Sequence, residues 1–230
     1  MFKRIVFAAA ASGLVAGLVV SAVQFVRAVP LIYEAEKYEK KEPPPAQALG
    51  STQKGLAPSD GEEQGGFSRP ALTIVSNVMS AIGFALLLIA GFAIRGNVDW
   101  KQGVLWGMGG FIAFSLAPSI GLPPELPGSF AAALPDRQIW WIPTVAGTAV
   151  GLLLLAFKPG MRWKLAGVAL IALPHIIGAP QPDRHGGLAP DDLMNAFVVA
   201  ALVTSAIFWV ALGAASAYFF NLQGGAKNNA

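Results

Sequence analysis

The stretch ALTIVSNVMSAIGFALLLIAGFAI, from Ala71 to Ile94, runs for 24 residues without one charge. A helix crossing the roughly 30 Å hydrocarbon core of a bilayer needs about 20 mostly apolar residues. This stretch meets that length, and it has company. Ile5–Val26, Gly103–Leu122, Ile139–Phe157 and Leu193–Phe220 are also free of charge. Over the whole chain 54% of residues are hydrophobic and only 13% are charged, against about 25% charged in a soluble domain. The composition excludes a soluble globular enzyme. It predicts an all-α, polytopic membrane helix bundle.

Working outward, Leu165–Ala179 is a sixth apolar stretch, shorter than the others and carrying Pro174 and His175. We read it as a short span, with Trp163 extending it into the interface. Its alternative is a re-entrant segment, which would leave five spans. The expected organisation is one membrane domain over residues 1–230. Its spans run at about 5–26, 71–94, 103–122, 139–157, 163–179 and 193–220. The first segment follows Lys3 and Arg4, as a secretory signal would. Its apolar run exceeds a signal core of about 7–15 residues, so it is read as a retained span. Gly13/Gly17, Gly103/Gly107 and Gly147/Gly151 are small-xxx-small pairs of the kind that let helices approach closely in lipid.

Six spans put both termini on one side. That side holds Lys3, Arg4, Arg95, Lys101, Lys158, Arg162, Lys164 and Lys227, crowded into short connections. Basic density beside span ends favours the cytoplasm. Of the acids only Asp99 falls there, so the opposite face is rich in carboxylate and attracts cations. That face also receives the one long polar connection. Leu31–Lys41 has helix-forming composition and could prolong the first helix, with a kink at Pro30. Residues 42–66, rich in Pro, Gly, Ser and Gln, read as a flexible loop.

The chain has no cysteine, which removes disulfides, thiolate zinc sites and iron–sulfur ligation together. It has no P-loop and no nucleophile–base pair, and neither enzyme catalysis nor a bound cofactor is indicated. The two histidines stand out. His175 lies inside an apolar stretch, where a polar side chain is costly unless paired or functional. It is either a ligand or a hydrogen-bonder to a neighbouring helix, through Asn77, Ser80 or Thr144. His185 follows Asp183 in the next loop, and imidazole with carboxylate suits Co²⁺, Ni²⁺ or Zn²⁺. Asp191 and Asp192 read as caps of the last helix. Asn77 and Gln24 are the most polar side chains of their spans. Glu125 is the sole acid of a proline-rich loop, Gly121–Gly128. Trp140 and Trp141 read as interface anchors.

Several of these motifs occur in a fixed order. Val29-Pro-Leu-Ile-x-Glu-Ala-Glu-x-Tyr-Glu39 is followed by Gly121-Leu-Pro-Pro-Glu-Leu-Pro-Gly128 and Arg137-Gln-x-Trp-Trp141. Leu173-Pro-His-x-Ile-Gly-Ala-Pro-Gln-Pro182, Ala196–Ala200 and Phe208-Trp209 complete the series. Over about residues 1 to 220 the chain resembles the CbtA family of cobalt transporter subunits. The resemblance implies a component for cobalt uptake in the bacterial inner membrane, transporting Co²⁺ or Ni²⁺ without a permanently bound cofactor. It also implies a small one-span partner with a histidine-bearing tail, CbtB-like, and no nucleic acid. The first long loop departs from the family in having no histidine. Any metal capture there shifts to Glu34, Glu36, Glu39 and Glu42. The metal candidates are therefore His175, His185, Asp183, Glu34, Glu36 and Glu125. The competing reading is an accessory subunit that transports nothing and packs into a larger membrane complex.

Overall fold

The computed structural model describes residues 2–40, 68–96 and 98–225. Within them the chain is a polytopic membrane bundle of helices: α1 (Phe2–Arg27), α2 (Val29–Glu39), α3 (Arg69–Arg95), α4 (Trp100–Phe111), α5 (Ala117–Gly121), α6 (Leu134–Phe157), α7 (Met161–Ile177) and α8 (Asp191–Gly225). Five passages are long and apolar enough to cross a membrane: α1, α3, α4 through α5, α6 and α8. At 17 residues, α7 reaches about 25 Å. The expected loop at 42–66 lies outside the described residues.

Helix α1 sits between α3 and α8, and α4 packs on the far side of α8. The glycine pairs explain these contacts. A Cβ at Gly17 would lie 2.6 Å from Val78 Cα, and one at Gly103 would lie 2.5 Å from Gly213 O. Backbones approach there because nothing stands between them, which is how helices associate in lipid without a hydrophobic driving force. The third pair places α7. A Cβ at Gly147 would meet Leu170 O at 2.8 Å, and one at Gly151 would meet Gly167 O at 2.7 Å. Thus α7 lies antiparallel along α6, and its end reaches Trp140, whose Nε1 donates to Pro174 O at 3.0 Å.

Helices α1 and α8 are antiparallel. Arg4 donates through Nε and Nη2 to Phe220 O, at 3.0 and 2.6 Å, with its guanidinium over the Phe220 ring. The start of the first helix and the end of the last therefore meet at one end of the bundle, which we call the basic end. Asp99, the one acid there among the described residues, caps α4 by accepting from the Gln102 N–H at 2.7 Å.

The opposite end is capped. Pro30 lacks the N–H that a continuous helix would donate to Val26 O, so the helix breaks at Ala28 and resumes as α2 with the proline in its first turn. Ala35 of α2 packs on Leu126 and Ala189, one from each of two loops. Those loops are themselves joined: Phe130 N–H donates to Gly186 O at 2.9 Å and Leu188 N–H to Gly128 O at 3.1 Å. Gly128 and Gly186 hold φ of 77° and 93°, which only glycine adopts freely.

Between α4 and α5 the chain forms one π turn, Ile112–Leu116, closed by Ala117 N–H to Ile112 O. Pro118 lacks the N–H that a regular ladder would use, and the helix widens instead.

Candidate functional site

The joined loops decide where two candidates go. Glu125, from the loop before α6, and His185, from the loop before α8, line the same cavity of about 220 Å³ with Pro123, Pro124, Gln181 and Asn195. Glu125 is paired, with Arg137 Nη2 at 3.0 Å from its Oε2. That bridge joins the proline-rich loop to the Arg-Gln-x-Trp-Trp motif at the start of α6. Both partners are partly exposed, so the pair is worth only about 0–1 kcal/mol. A cation could displace Arg137 at little cost.

The other candidates stay apart from this pair. Asp183 is exposed on the same loop as His185 and does not line the cavity. Glu34 pairs with Lys37 one turn along α2, and Glu36 pairs with Arg69 of α3 at 2.9 Å. Glu39 is exposed, and Glu42 lies outside the described residues. Among the described residues no three side chains of His, Asp or Glu come together as a ready metal cage.

His175 lies between α7 and α6, its ring edge-on to Trp140 with centroids 5.7 Å apart. Its Nε2 is buried and has no hydrogen-bond partner among the described residues. The three expected partners are not used. Asn77 Nδ2 donates to Ser21 Oγ at 3.0 Å and to Gln24 Oε1 at 2.7 Å. Thr144 Oγ1 donates to Trp140 O at 2.7 Å, and Ser80 lies on α3, away from the α6–α7 hairpin. His175 does not line the Glu125–His185 cavity. It sits behind it, because Trp140 lies directly under Gly121, one of that cavity's lining residues.

Two larger clefts lie nearby. One of about 860 Å³ shares Leu122, Pro123, Pro124 and Glu125 with the first, and adds Ser115, Ser119, Arg137 and Gln138. The other, about 680 Å³, lies between α1, α3 and α8 and shares Ala201 and Ser205 with the second. Where those two adjoin, Ser115 Oγ and Ser205 Oγ are 2.6 Å apart. Sequence reasoning did not bring the residues of this cavity together. Its signal was present as polar residues at helical spacing on an otherwise apolar helix: Thr73, Ser76, Asn77 and Ser80 all line the 680 Å³ cavity. Asn77 and Gln24 stood out in the sequence as the most polar side chains of their spans and Ser80 as a possible partner of His175, whereas Thr73 and Ser76 did not, because such hydroxyls are usually assigned to helix packing.

Comparison with known families finds one match covering nearly the whole chain. The model of the probable cobalt transporter subunit family, CbtA, matches residues 2–221. No curated protein and no solved structure matches. With its apolar helices and this coverage, the chain is a multi-pass membrane protein that belongs to the CbtA family of probable cobalt transporter subunits.

Proposed function

We propose that the chain is the membrane subunit through which Co²⁺ enters a bacterial cell across the inner membrane, working with a small one-span, histidine-tailed partner of the CbtB kind. The observation that carries this reading is the convergence of Glu125 and His185 on one cavity at the acid-rich end. Carboxylate oxygen and neutral imidazole nitrogen suit Co²⁺ and Ni²⁺. Asp183 stands on the rim, and Glu34 and Glu36 add negative charge at the same end. His175 supplies an unpartnered imidazole nitrogen behind that cavity. In this reading the carboxylates concentrate the ion, Glu125 and His185 take it from water, and His175 is the ligand at membrane depth.

The basic end faces the cytoplasm, following the density of Lys and Arg beside the helix ends. Both termini lie there, and α7 counts as a sixth, short crossing. The meeting of Arg4 with Phe220 supports an even number of crossings, and the course of α7 along α6 supports its being one of them.

A second reading rests on the existing ion pairs. Glu34, Glu36 and Glu125 each already hold a basic partner, as expected of an accessory subunit that packs into a larger complex. Labelled Co²⁺ uptake decides between the two, measured in cells with this chain, with this chain and its partner, and with neither. Uptake that requires the chain supports the transport role. Unchanged uptake, with co-purification of a larger assembly, refutes it.

A further inference from the structure

A cleft of about 510 Å³ between α3, α4 and α6 takes no part in the uptake reading. Its lining is sorted along the bundle. Arg95 and Gln102, its two polar side chains among the described residues, both stand at the basic end. The rest of that lining is apolar. At the inner end Phe84 meets Phe114 and Trp209, with ring centroids 5.1 and 4.9 Å from its own, and closes the cleft. The side is open, because Leu87 of α3, Leu105 of α4 and Phe157 of α6 are all exposed.

The depth of the cleft is that of one leaflet. Phe84 and Arg95 are eleven residues apart on α3, about 16 Å at 1.5 Å per residue. The hydrocarbon core is roughly 30 Å across, so such a cleft runs from one interface to about the midplane. An acyl chain of the adjoining leaflet spans that distance, whereas a crossing helix would need twice the length.

The charge at the mouth is unspent. Arg95 makes no hydrogen bond or ion pair with any described residue, and its guanidinium lies over the Phe157 ring, 4.7 Å from the centroid. Asp99, the one described acid at that end, is occupied in capping α4. Lys101 and Lys158, both exposed, stand next in the chain to the lining residues Gln102 and Phe157. Basic pockets between membrane helices suit anionic headgroups, and a guanidinium can bind phosphate through two parallel N–H bonds. We propose that this cleft binds an anionic phospholipid, with one acyl chain along the apolar wall and the phosphate held by Arg95. Lys101 and Lys158 add positive charge at the mouth. The inference stands beside the uptake reading and does not rest on it.

The probe is phosphatidylglycerol with dibrominated acyl chains, since bromine quenches tryptophan on contact and Trp106 and Trp209 both line the cleft. The full chain is placed in phosphatidylcholine nanodiscs, and a small fraction of that lipid is replaced by the brominated probe or by brominated phosphatidylcholine. Brominated phosphatidylglycerol should quench the wild type at a lower fraction than brominated phosphatidylcholine does. Arg95→Gln should raise the phosphatidylglycerol fraction needed for half-quenching about tenfold, the scale of one hydrogen bond to a charged group. Gly109→Leu should remove the preference by filling the cleft. A Cβ at Gly109 meets nothing within 4 Å, so that variant keeps the helix packing and stands in if Arg95→Gln inserts poorly. Equal quenching of the wild type by the two lipids would mean ordinary boundary contact and overturn the proposal. So would a full preference for phosphatidylglycerol in either variant with a wild-type unfolding midpoint, which would place the lipid elsewhere.

Discussion

Gly107 and Gly109 sit two residues apart on α4 and predict opposite outcomes for the same substitution. A Cβ at Gly107 would overlap Trp209 O and come within 3.1 Å of Trp209 C and 3.2 Å of Gly213 Cα. Carbon pairs rest at about 3.5–4.0 Å, and these neighbours are backbone atoms that cannot rotate aside. Helices α4 and α8 must therefore part by roughly 0.5–1 Å, and a gap of that size forfeits about a quarter to a half of each surrounding contact. Overpacking of this kind costs about 1–3 kcal/mol. At about 2 kcal/mol the midpoint of thermal unfolding falls by about 4–8 °C for a chain of this length. A Cβ at Gly109 would meet nothing within 4 Å. Gly109→Ala should be neutral, or gain up to about 1 kcal/mol of helix propensity. The comparison removes propensity and detergent effects, since both variants make the same change in the same helix. Thermal unfolding of the two in nanodiscs, followed by tryptophan fluorescence, is the assay. Equal midpoints would refute the close approach of α4 to α8 and the packing derived from it.

Other consequences test the site. Glu125→Gln and His185→Ala should each raise the Co²⁺ concentration needed for half-maximal uptake while leaving the maximal rate near wild type, because both act at capture; a fall in maximal rate alone would refute that role. His175→Gln keeps hydrogen-bonding capacity but is a poor ligand for Co²⁺, so uptake should fall with expression unchanged. Full uptake in that variant would make His175 a packing residue and remove it from the path. Membrane potential offers a further test. A divalent ion moving through 100 mV toward the negative side gains about 4.6 kcal/mol, so collapsing the potential with an ionophore should depress uptake by intact cells. Uptake unaffected by depolarisation would point to a different energy source.

What could be read from the chain alone was what depends on local pattern. Charge-free runs located the five long passages, and helix-forming composition at Leu31–Lys41 marked a helix whose observed bounds are Val29–Glu39. The glycine pairs showed where close contact was possible but not with which neighbour, since spacing on one helix says nothing about the face opposite. The same gap explains His175. Its suggested partners Asn77 and Ser80 lie on α3, but α7 packs along α6, so Trp140 is what it meets. Glu125 and His185 were separate candidates because their meeting depends on backbone hydrogen bonds between two loops distant in sequence. The π turn was not anticipated: residues 103–122 were read as one uninterrupted span, and how a helix accommodates Pro118 depends on its neighbours.

The proposed uptake role is compatible with so few ionisable groups inside the membrane. A fixed carboxylate at depth would bind a divalent ion tightly and hold it, and conduction requires a site weak enough to leave. In the proposed orientation every described acid but Asp99 stands outside, where carboxylates concentrate the ion, and Glu125 at the first cavity is already shared with Arg137. In the proposed uptake, selectivity falls to the outer histidine and carboxylates, where inner-sphere ligands distinguish nitrogen-seeking Co²⁺ and Ni²⁺ from oxygen-seeking Mg²⁺ and Ca²⁺.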